Sequence, residues 1–448
     1  MPFEFTTLSV SELVQRGALF VEDGNHGEYR PLAHEFAETG TPFIRPDDLV
    51  GGVVRFSGCD HINDVATRRV RKGKGKAGDI AFTHRATVGR IARVGPRAPN
   101  FVANPGVTVW RVTDSNQIDR NYLYYFMQSP AFMDQVWSMA GGTDTFPYIS
   151  LTQQRTLRIN LPRLAEQVQI GSTLGALDDR IELLRQTNAT LESIAQALFK
   201  SWFIDFDPVR AKAEGREPEG MDAAVAALFP AEFEESALGP IPKGWHAATV
   251  AEAVELNPSR SLSKGADAPY LEMANAPTSS HRPIKHVDRR AFGSGCKFRN
   301  GDALLAKITP CLENGKSAFI DFLDDDEIGW GSTEFIVLRA KPVLPQYAAY
   351  LLARYEPFRQ FAIQAMTGTS GRQRIDLSRL AQFPLALPSD SSVAQGAEPM
   401  LRALQLRIAA NDEQAKNLAD LRDRLLPRLI SGKLRLPEAE AQLEEAAE

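Results

Sequence analysis

The sequence predicts an α+β fold organised as a tandem pseudo-repeat, in which two α/β units are separated by two long helices that pair as a coiled coil. Three observations predict it. Landmarks recur at an offset that stays between 226 and 228 residues: Arg111 and Arg339 near the ends of strand-like runs, Pro130 and Pro357 inside helical stretches, Gly142-Thr143 and Gly368-Thr369, Leu161-Pro162 and Leu387-Pro388. Unrelated segments would drift apart with every loop, so a register held this closely marks an internal repeat. Each copy also passes from short strands to an interrupted helix, and each is followed by a heptad stripe.

The first unit, residues 1–163, opens with Leu8-Ser9-Val10-Ser11-Glu12-Leu13. Asp79 to Thr83, Gly89 to Val94 and Val107 to Val112 read as strands, bounded by Gly, Pro, Asn and Asp. Tyr122 to Gln128 and Ala131 to Ala140 then read as helix on either side of Pro130, where the missing N–H forces a break or a fresh start. Residues 164–206 form a heptad helix whose seam is Leu174, Leu177, Ile181, Leu184, Asn188, Leu191 and Leu198. From about Ala165 to Phe203 one helix would extend roughly 55 Å at 1.5 Å per residue, more than the about 34–36 Å of one DNA turn. Residues 207–238, with Pro208, Pro218 and Pro230, read as a partly structured connector.

The second unit, residues 239–389, opens with Gly239-Pro240-Ile241-Pro242-Lys243-Gly244-Trp245 and Thr249 to Val254. Ala303 to Ile308 and Phe335 to Ala340 read as strands, and Gln346 to Tyr355 and Phe358 to Met366 as helices around Pro357. Residues 390–436 carry the second seam: Leu401, Leu404, Ile408, Asn411, Leu418 and Leu425. With two stripes in one chain, the economical arrangement pairs them with each other. Asn188 and Asn411 interrupt the seams. Either they are buried and fix register, as a single buried Asn does in coiled coils, or they mark a loose, solvated point. Residues 437–448 are an Ala/Glu-rich acidic tail.

At 448 residues, with 43% hydrophobic and 24% charged side chains, the chain has ordinary globular composition. No apolar run approaches the roughly 20 residues of a membrane span. Met1-Pro2-Phe3-Glu4-Phe5 lacks the basic start of a signal peptide, so the expected location is the cytoplasm, with no membrane partner. Cys59, Cys296 and Cys311 are too few and too far apart for a disulfide framework or a paired-cysteine metal site. The net charge of −5 hides an uneven distribution. Each α/β unit carries three more cations than anions: 19 Lys+Arg against 16 Asp+Glu in 1–163, and 18 against 15 in 239–389. The helical segments hold the acid, with 6 against 14 in 164–238 and 8 against 11 in 390–448. The units therefore suit a phosphate-bearing partner better than the whole chain does.

Catalytic signatures are missing. Glu313-Asn314-Gly315-Lys316-Ser317 imitates the end of a P-loop, but Pro310 stands where the first glycine must be, so a strand-flanking turn accounts for it better. No His-Glu-x-x-His, Gly-x-Ser-x-Gly or Asn-Pro-Pro-aromatic motif occurs, and no metal site is expected. His281 and His286 read as a polar loop rather than ligands. What remains is basic loops. Arg68, Arg69, Arg71, Lys72, Lys74 and Lys76 put six cations in nine residues, interleaved with glycines that let the backbone approach a partner closely. Phosphate contact is the functional account of this run, and a solvated surface is the alternative. In the second unit the candidates are dispersed: His281, Arg282, Lys285, Lys307, Lys316, Arg372, Gln373 and Arg374. The loop 143–148, ending in Tyr148, and its counterpart 369–374 differ in content at matched positions. Arg and Gln read guanine and adenine edges in the major groove, so different loops on one frame would read different sequences; the alternative is that they only pack their units.

These residues also carry a family resemblance. The two-unit, two-helix layout, Ile308-Thr309-Pro310-Cys311-Leu312-Glu313-Asn314-Gly315-Lys316 followed by Gly331-Ser332-Thr333-Glu334-Phe335, and Leu198-Phe199-Lys200-Ser201-Trp202-Phe203-Ile204-Asp205-Phe206-Asp207-Pro208-Val209 resemble the specificity (S) subunits of type I restriction-modification systems. Gly239 to Trp245 resembles the entry to that family's second target recognition domain, and Asp423 to Leu434 the end of its distal helix. The resemblance covers nearly the whole chain, and the first unit departs from the pattern outside its frame.

The resemblance implies two target recognition domains on an antiparallel coiled coil, each reading half of a bipartite, asymmetric site in double-stranded DNA. It implies a non-catalytic chain with no cofactor of its own. Two modification subunits would bring S-adenosylmethionine and methylate adenine, and two restriction subunits would bring ATP and magnesium for translocation and cleavage. Flipping the adenine out of the duplex would belong to the modification subunit. The rival readings are a free-standing bipartite DNA-binding regulator and a coiled-coil adaptor with no nucleic-acid role.

Overall fold

The computed structural model describes residues 4–141, 146–368, 373–435 and 437–439. The chain divides into two compact units. One comprises Met1–Ile181 with Asn417–Glu448, and the other Glu182–Lys416, so each unit takes one segment from each long helix.

In the first unit, Thr6–Ser9 pairs antiparallel with Arg158–Leu161, tying the unit's two ends together. The main sheet runs in the order Leu19–Asp23, Val107–Val112, Ile80–Thr83, Ile91–Arg93, then the short Val53–Val54 and Leu49–Val50. Ile80–Thr83 is buried on both faces. Ile80, Phe82 and Trp110 pack on the helices Arg120–Gln128 and Pro130–Ala140, while Ala81, Val107 and Val109 pack against Ile44, Phe101 and Ala103 on the other side. A second sheet runs Phe36–Ala37, Asp60–Ile62, Thr41–Ile44, Phe101–Ala103, Lys74–Gly75.

The second unit repeats this plan. Trp245–Thr249 pairs with Pro384–Pro388, the main sheet runs Val254–Leu256, Phe335–Ala340, Ala303–Ala306, Ser317–Phe319, and the second sheet runs Arg289–Ala291, Asp267–Leu271, Gly329–Gly331, Cys296–Phe298. Registers match residue for residue. Trp110 opposes Ile80 as Leu338 opposes Ala303, and Val102 opposes Lys74 as Trp330 opposes Lys297. Both prolines start helices rather than kink them: Pro130 is the first residue of its helix, and Pro357 the second of Glu356–Gln364. There the missing N–H leaves no hydrogen bond unmade.

The repeat also holds a Gly-Asp step that the sequence reading passed over. Gly78-Asp79 and Gly301-Asp302 enter equivalent strands, with the glycines at φ +85° and +87°. Each aspartate is buried and faces the repeated arginine. Asp79 accepts from Arg111 Nε and Nη2, both at 2.7 Å, and Asp302 accepts from Arg339 Nη1 at 2.5 Å and from Arg260 Nη2 at 2.6 and 2.7 Å.

The first long helix runs Leu164–Phe203 and the second Ser392–Ile430. Asp178 meets Arg422 and Asn188 meets Asn411, so ten residues forward on one helix is eleven back on the other, an antiparallel pairing. Leu174, Leu177, Ile181, Leu184, Ile408 and Leu425 are buried, whereas Leu191, Leu198, Leu404 and Leu418 are half-buried. Leu401 belongs to the core of its unit, with Leu198 and Leu404 packed against it. Leu421, Leu426, Leu429 and Ile430 complete the buried face near the C-terminal end. Asn188 and Asn411 are both buried: Asn411 Nδ2 donates to Asn188 Oδ1 at 2.8 Å, and Asn188 Nδ2 donates to Ile408 O at 3.1 Å and Asp412 Oδ1 at 2.8 Å. Among the described residues no helix is long and apolar enough to cross a membrane. Most of the acidic tail lies outside the described residues.

Candidate nucleic-acid interface

The basic run of the first unit lies on the helix Asp64–Arg69 and the edge strand Lys74–Gly75. Arg68, Arg71, Lys72, Lys74 and Lys76 are exposed. The backbone beneath them is held from inside. Asn25, 4% exposed, accepts through Oδ1 from Arg71 N (2.9 Å) and Lys72 N (3.1 Å) and donates through Nδ2 to Lys72 O. Glu22 accepts from Gly73 N at 2.8 Å, Asp79 accepts from Lys76 N at 2.8 Å, and Arg111 donates to Lys74 O at 3.0 Å. Gly73 at φ +66° lies so close to Gly24 that a Cβ would sit 2.7 Å from its Cα. The Arg71 guanidinium stacks over Tyr29, 4.2 Å from the ring centroid. A loop whose amides are bonded inward and whose ammonium groups face outward is pre-ordered for phosphates.

Arg69 is the exception in this run. It is half-buried and grips Glu35 with both terminal nitrogens, while donating to Arg30 O at 3.1 Å. That hydrogen bonding holds the Glu35 carboxyl down at about 2. Arg69 thus anchors the helix, and its charge is neutralised within the protein. Tyr148 is 41% exposed and bridges backbone to backbone with Arg85. Below it, buried His84 faces Ile149 O (3.1 Å) and Pro105 O (2.9 Å), and burial pushes its imidazole pKa down.

The second unit places its candidates differently. His281 is fully buried among Phe319, Tyr347 and Tyr350, with Nδ1 3.0 Å from the Tyr347 hydroxyl and Nε2 3.2 Å from Asp321. Arg282 donates from Nε to Asp321 at 2.7 Å and from Nη1 to Ala409 O at 3.3 Å on the second long helix. Burial alone would raise the Asp321 carboxyl, but His281 and Arg282 outweigh it and hold it below the usual carboxylate range. Lys316 Nζ donates inward to Met273 O at 2.7 Å. The dispersed candidates were expected on exposed loops, and these three point inward instead: aromatic packing and a buried carboxylate draw the His-Arg pair into the join between the unit and its helix segment.

Lys285 is exposed, and Asn275 Oδ1 accepts from its backbone N–H at 2.7 Å. Arg374 is exposed but held by Glu334 through Nε (2.9 Å) and Nη2 (2.7 Å). Gln373 is half-buried, and its carbonyl accepts from Thr309 N at 3.2 Å. Arg372 lies outside the described residues, as do 142–145 of the matching first-unit loop. Lys307 faces an open cleft and makes no side-chain hydrogen bond or ion pair among the described residues. Ile308 to Lys316 forms the strand-flanking turn between Ala303–Ala306 and Ser317–Phe319. No group of three or more His, Cys, Asp and Glu side chains with metal-holding geometry occurs among the described residues.

The clamps Asn25, Glu22 and Asp79 and the cleft residues Arg260 and Lys297 were not singled out from sequence. The repeated Gly-Asp step was the available signal, since it aligns Lys74 with Lys297 without any structure.

Comparison with known proteins agrees with this layout. A family model for the type I restriction modification DNA specificity domain matches residues 22–193, which covers most of the first unit, the one expected from sequence to fit the family pattern less well. The HindI specificity subunit of Haemophilus influenzae is 24% identical over 453 aligned positions, spanning 88% of this chain and 94% of that protein. The MjaIX specificity subunit of Methanocaldococcus jannaschii is 24% identical across 89% of this chain and 87% of its own length. In fold, the chain resembles the crystal structure of the type I restriction-modification S subunit from M. genitalium, with a TM-score of 0.51 over 95% of this chain and 96% of that one at 16% identity. With a repeated two-unit frame, an antiparallel helix pair and relatives matched over nearly their whole length, the chain is similar throughout to the specificity subunits of type I restriction-modification systems.

Proposed function

We propose that this chain reads a bipartite, asymmetric sequence in double-stranded DNA, one half with each unit, and that the paired helices set the unspecified spacer. It is the non-catalytic specificity component of its system. The observation that carries the reading is a repeated frame with unlike surfaces. Gly78-Asp79 with Arg111 and Gly301-Asp302 with Arg339 hold the same strands in the same register, yet one frame presents an exposed basic loop and the other an open cleft. Two equal grips on a palindrome would repeat the contact surface along with the frame. Two modification subunits carrying S-adenosylmethionine would methylate the selected adenines, and two restriction subunits would add ATP- and magnesium-dependent translocation and cleavage in the cytoplasm.

The test is sequencing of methylated adenine in cells expressing the chain with its modification subunit. The expected result is a two-part motif with a fixed gap, and exchange of residues 1–163 for those of another specificity subunit changes one half only. A complex that methylates without sequence preference overturns the reading.

A further inference from the structure

The two units treat one location in opposite ways. In the first unit, the chain leaving Leu19–Asp23 and the chain entering Lys74–Gly75 close on each other through Asn25, Glu22 and the Gly24–Gly73 contact. Strand register makes Glu22 equivalent to Asn257, Asn25 to Arg260, Gly73 to Cys296 and Lys74 to Lys297. In the second unit these same two segments are bridged by the Lys297 side chain, and both line a cleft of about 430 Å³.

Asn257, Ser259, Arg260, Lys297, Lys307 and Thr333 line the cleft, with no acidic side chain among its lining residues. Each cation has a distinct setting. Arg260 is packed against buried Asp302, a carboxylate that it shares with Arg339. Lys297 Nζ donates to Arg260 O at 3.1 Å and lies 5.0 Å from the Phe292 ring centroid, so its ammonium is held at the wall without a carboxylate. Lys307 is half-buried and makes no side-chain hydrogen bond or ion pair among the described residues. Glu334, whose carboxylate feels the Lys307 charge, is gripped by Arg374. The Cys296 thiol is pushed up to about 12 by burial and supplies neither a nucleophile nor a competing anion. Two ammonium groups without an ion pair among the described residues, beside two hydroxyls in a concave wall, make an anion site, and the donor set suits the oxygens of a phosphate.

We propose that this cleft binds a phosphate group, and that it is the second unit's counterpart of the basic loop Arg71 to Lys76. Resting on the DNA-reading function above, the inference places the phosphate anchors of both half-sites at one position of the repeated frame. The anchor is convex where Asn25 closes the gap and concave where Arg260 leaves it open. The same chemistry could be met by a backbone phosphate of DNA or by free phosphate, and the experiment separates them.

The full chain, co-purified with its modification subunit, is titrated with a fluorescent duplex carrying the host's methylated motif at several salt concentrations. Two variants are compared, Lys307→Ala and Ser259→Trp, the second filling the cleft at constant charge. Unchanged melting temperatures establish that both fold. If DNA supplies the phosphate, Lys307→Ala lowers the slope of log affinity against log salt by about 0.9, so a fourfold rise in salt costs it about 3.5-fold less affinity than the parent. Ser259→Trp then weakens binding alike on matched and unmatched duplexes.

In the second arm, inorganic phosphate is added to the same proteins and its ³¹P line broadening is recorded. Broadening that disappears in both variants while DNA binding stays unchanged supports the site with free phosphate as its ligand. If neither the salt slope nor the broadening responds to either variant, the proposal is overturned. Should the parent complex bind DNA without preference, the half-site reading fails, and the phosphate arm alone decides the cleft.

Discussion

Asn25→Ala isolates what pre-ordering of the basic loop contributes. The side chain makes three hydrogen bonds to the backbone of Arg71 and Lys72 from a buried position. At about 0.5–1.5 kcal/mol for each neutral bond, their loss costs about 2–4 kcal/mol. The flanking side chains are exposed, so water can reach the freed amides, and the lower end, about 2 kcal/mol, is the expected value. If the loop must be ordered to meet phosphates, affinity falls by no more than the same free energy, about thirtyfold. The slope of affinity against salt stays where it was, because all the exposed cations remain. Lys72→Ala and Lys74→Ala behave the other way: each lowers the slope by about 0.9 if it meets one phosphate. Fluorescence anisotropy with labelled duplex at several salt concentrations separates the two effects, and urea unfolding measures the stability loss. Unchanged unfolding of Asn25→Ala, with affinity within twofold of the parent at every salt, would refute the claim that this amide orders the loop.

Asn188→Leu removes the acceptor of Asn411 and costs about 2–3 kcal/mol, while Asn188→Leu with Asn411→Leu recovers part of it; a double-mutant cycle by urea unfolding reads the coupling. Asp302→Ala strands two arginines and destabilises by about 3–5 kcal/mol, more than Asp79→Ala, which strands one; thermal unfolding ranks them. Glu35 has a folded pKa of about 2 against 4.5 when free, so its contribution is present above about pH 4.5 and is lost as pH falls toward 2. Melting temperature followed from pH 5 to pH 2 falls less steeply in Glu35→Gln, and identical profiles contradict the assignment.

Legibility followed the length of the physical signal. Both long helices could be read because a stripe sustained over many turns outweighs local noise. Their buried faces were less readable near the C-terminal end, where Leu418 and Leu421 both satisfy three-four spacing and only packing against Leu174 and Leu177 selects Leu421. The basic run was legible because exposed cations need no fold to be recognised. Its clamp was not, since Asn25 sits in a Gly-Asn-His-Gly stretch that reads as an ordinary turn. His281 and Arg282 sit in a polar stretch that looks exposed, yet Asp321, some forty residues away, makes their burial possible. Strands of two or three residues, such as Lys74–Gly75, carry too few positions for alternation to show.

The repeat makes one more demand on the sequence, visible only in the cross-strand pairs. Gly75 opposes Phe101 in the first unit, and Phe298 opposes Gly329 in the second, so ring and glycine have changed strands at equivalent positions. A Cβ on Gly75 would lie 2.0 Å from the Phe101 ring, and one on Gly329 would lie 2.3 Å from the Phe298 ring. The frame therefore holds one ring at this point, from either strand. In the second unit, Gly329→Phe adds a second ring and is expected to cost about 3 kcal/mol or more, at or beyond the usual upper range for overpacking. Phe298→Gly empties a fully buried site and costs about 3–5 kcal/mol. Together the two substitutions reproduce the first unit's arrangement, and the double variant should be more stable than either single one. Urea unfolding of the three variants measures this, and a double variant as unstable as the sum of its parts would mean that the surrounding side chains, rather than the shared frame, choose the strand that carries the ring.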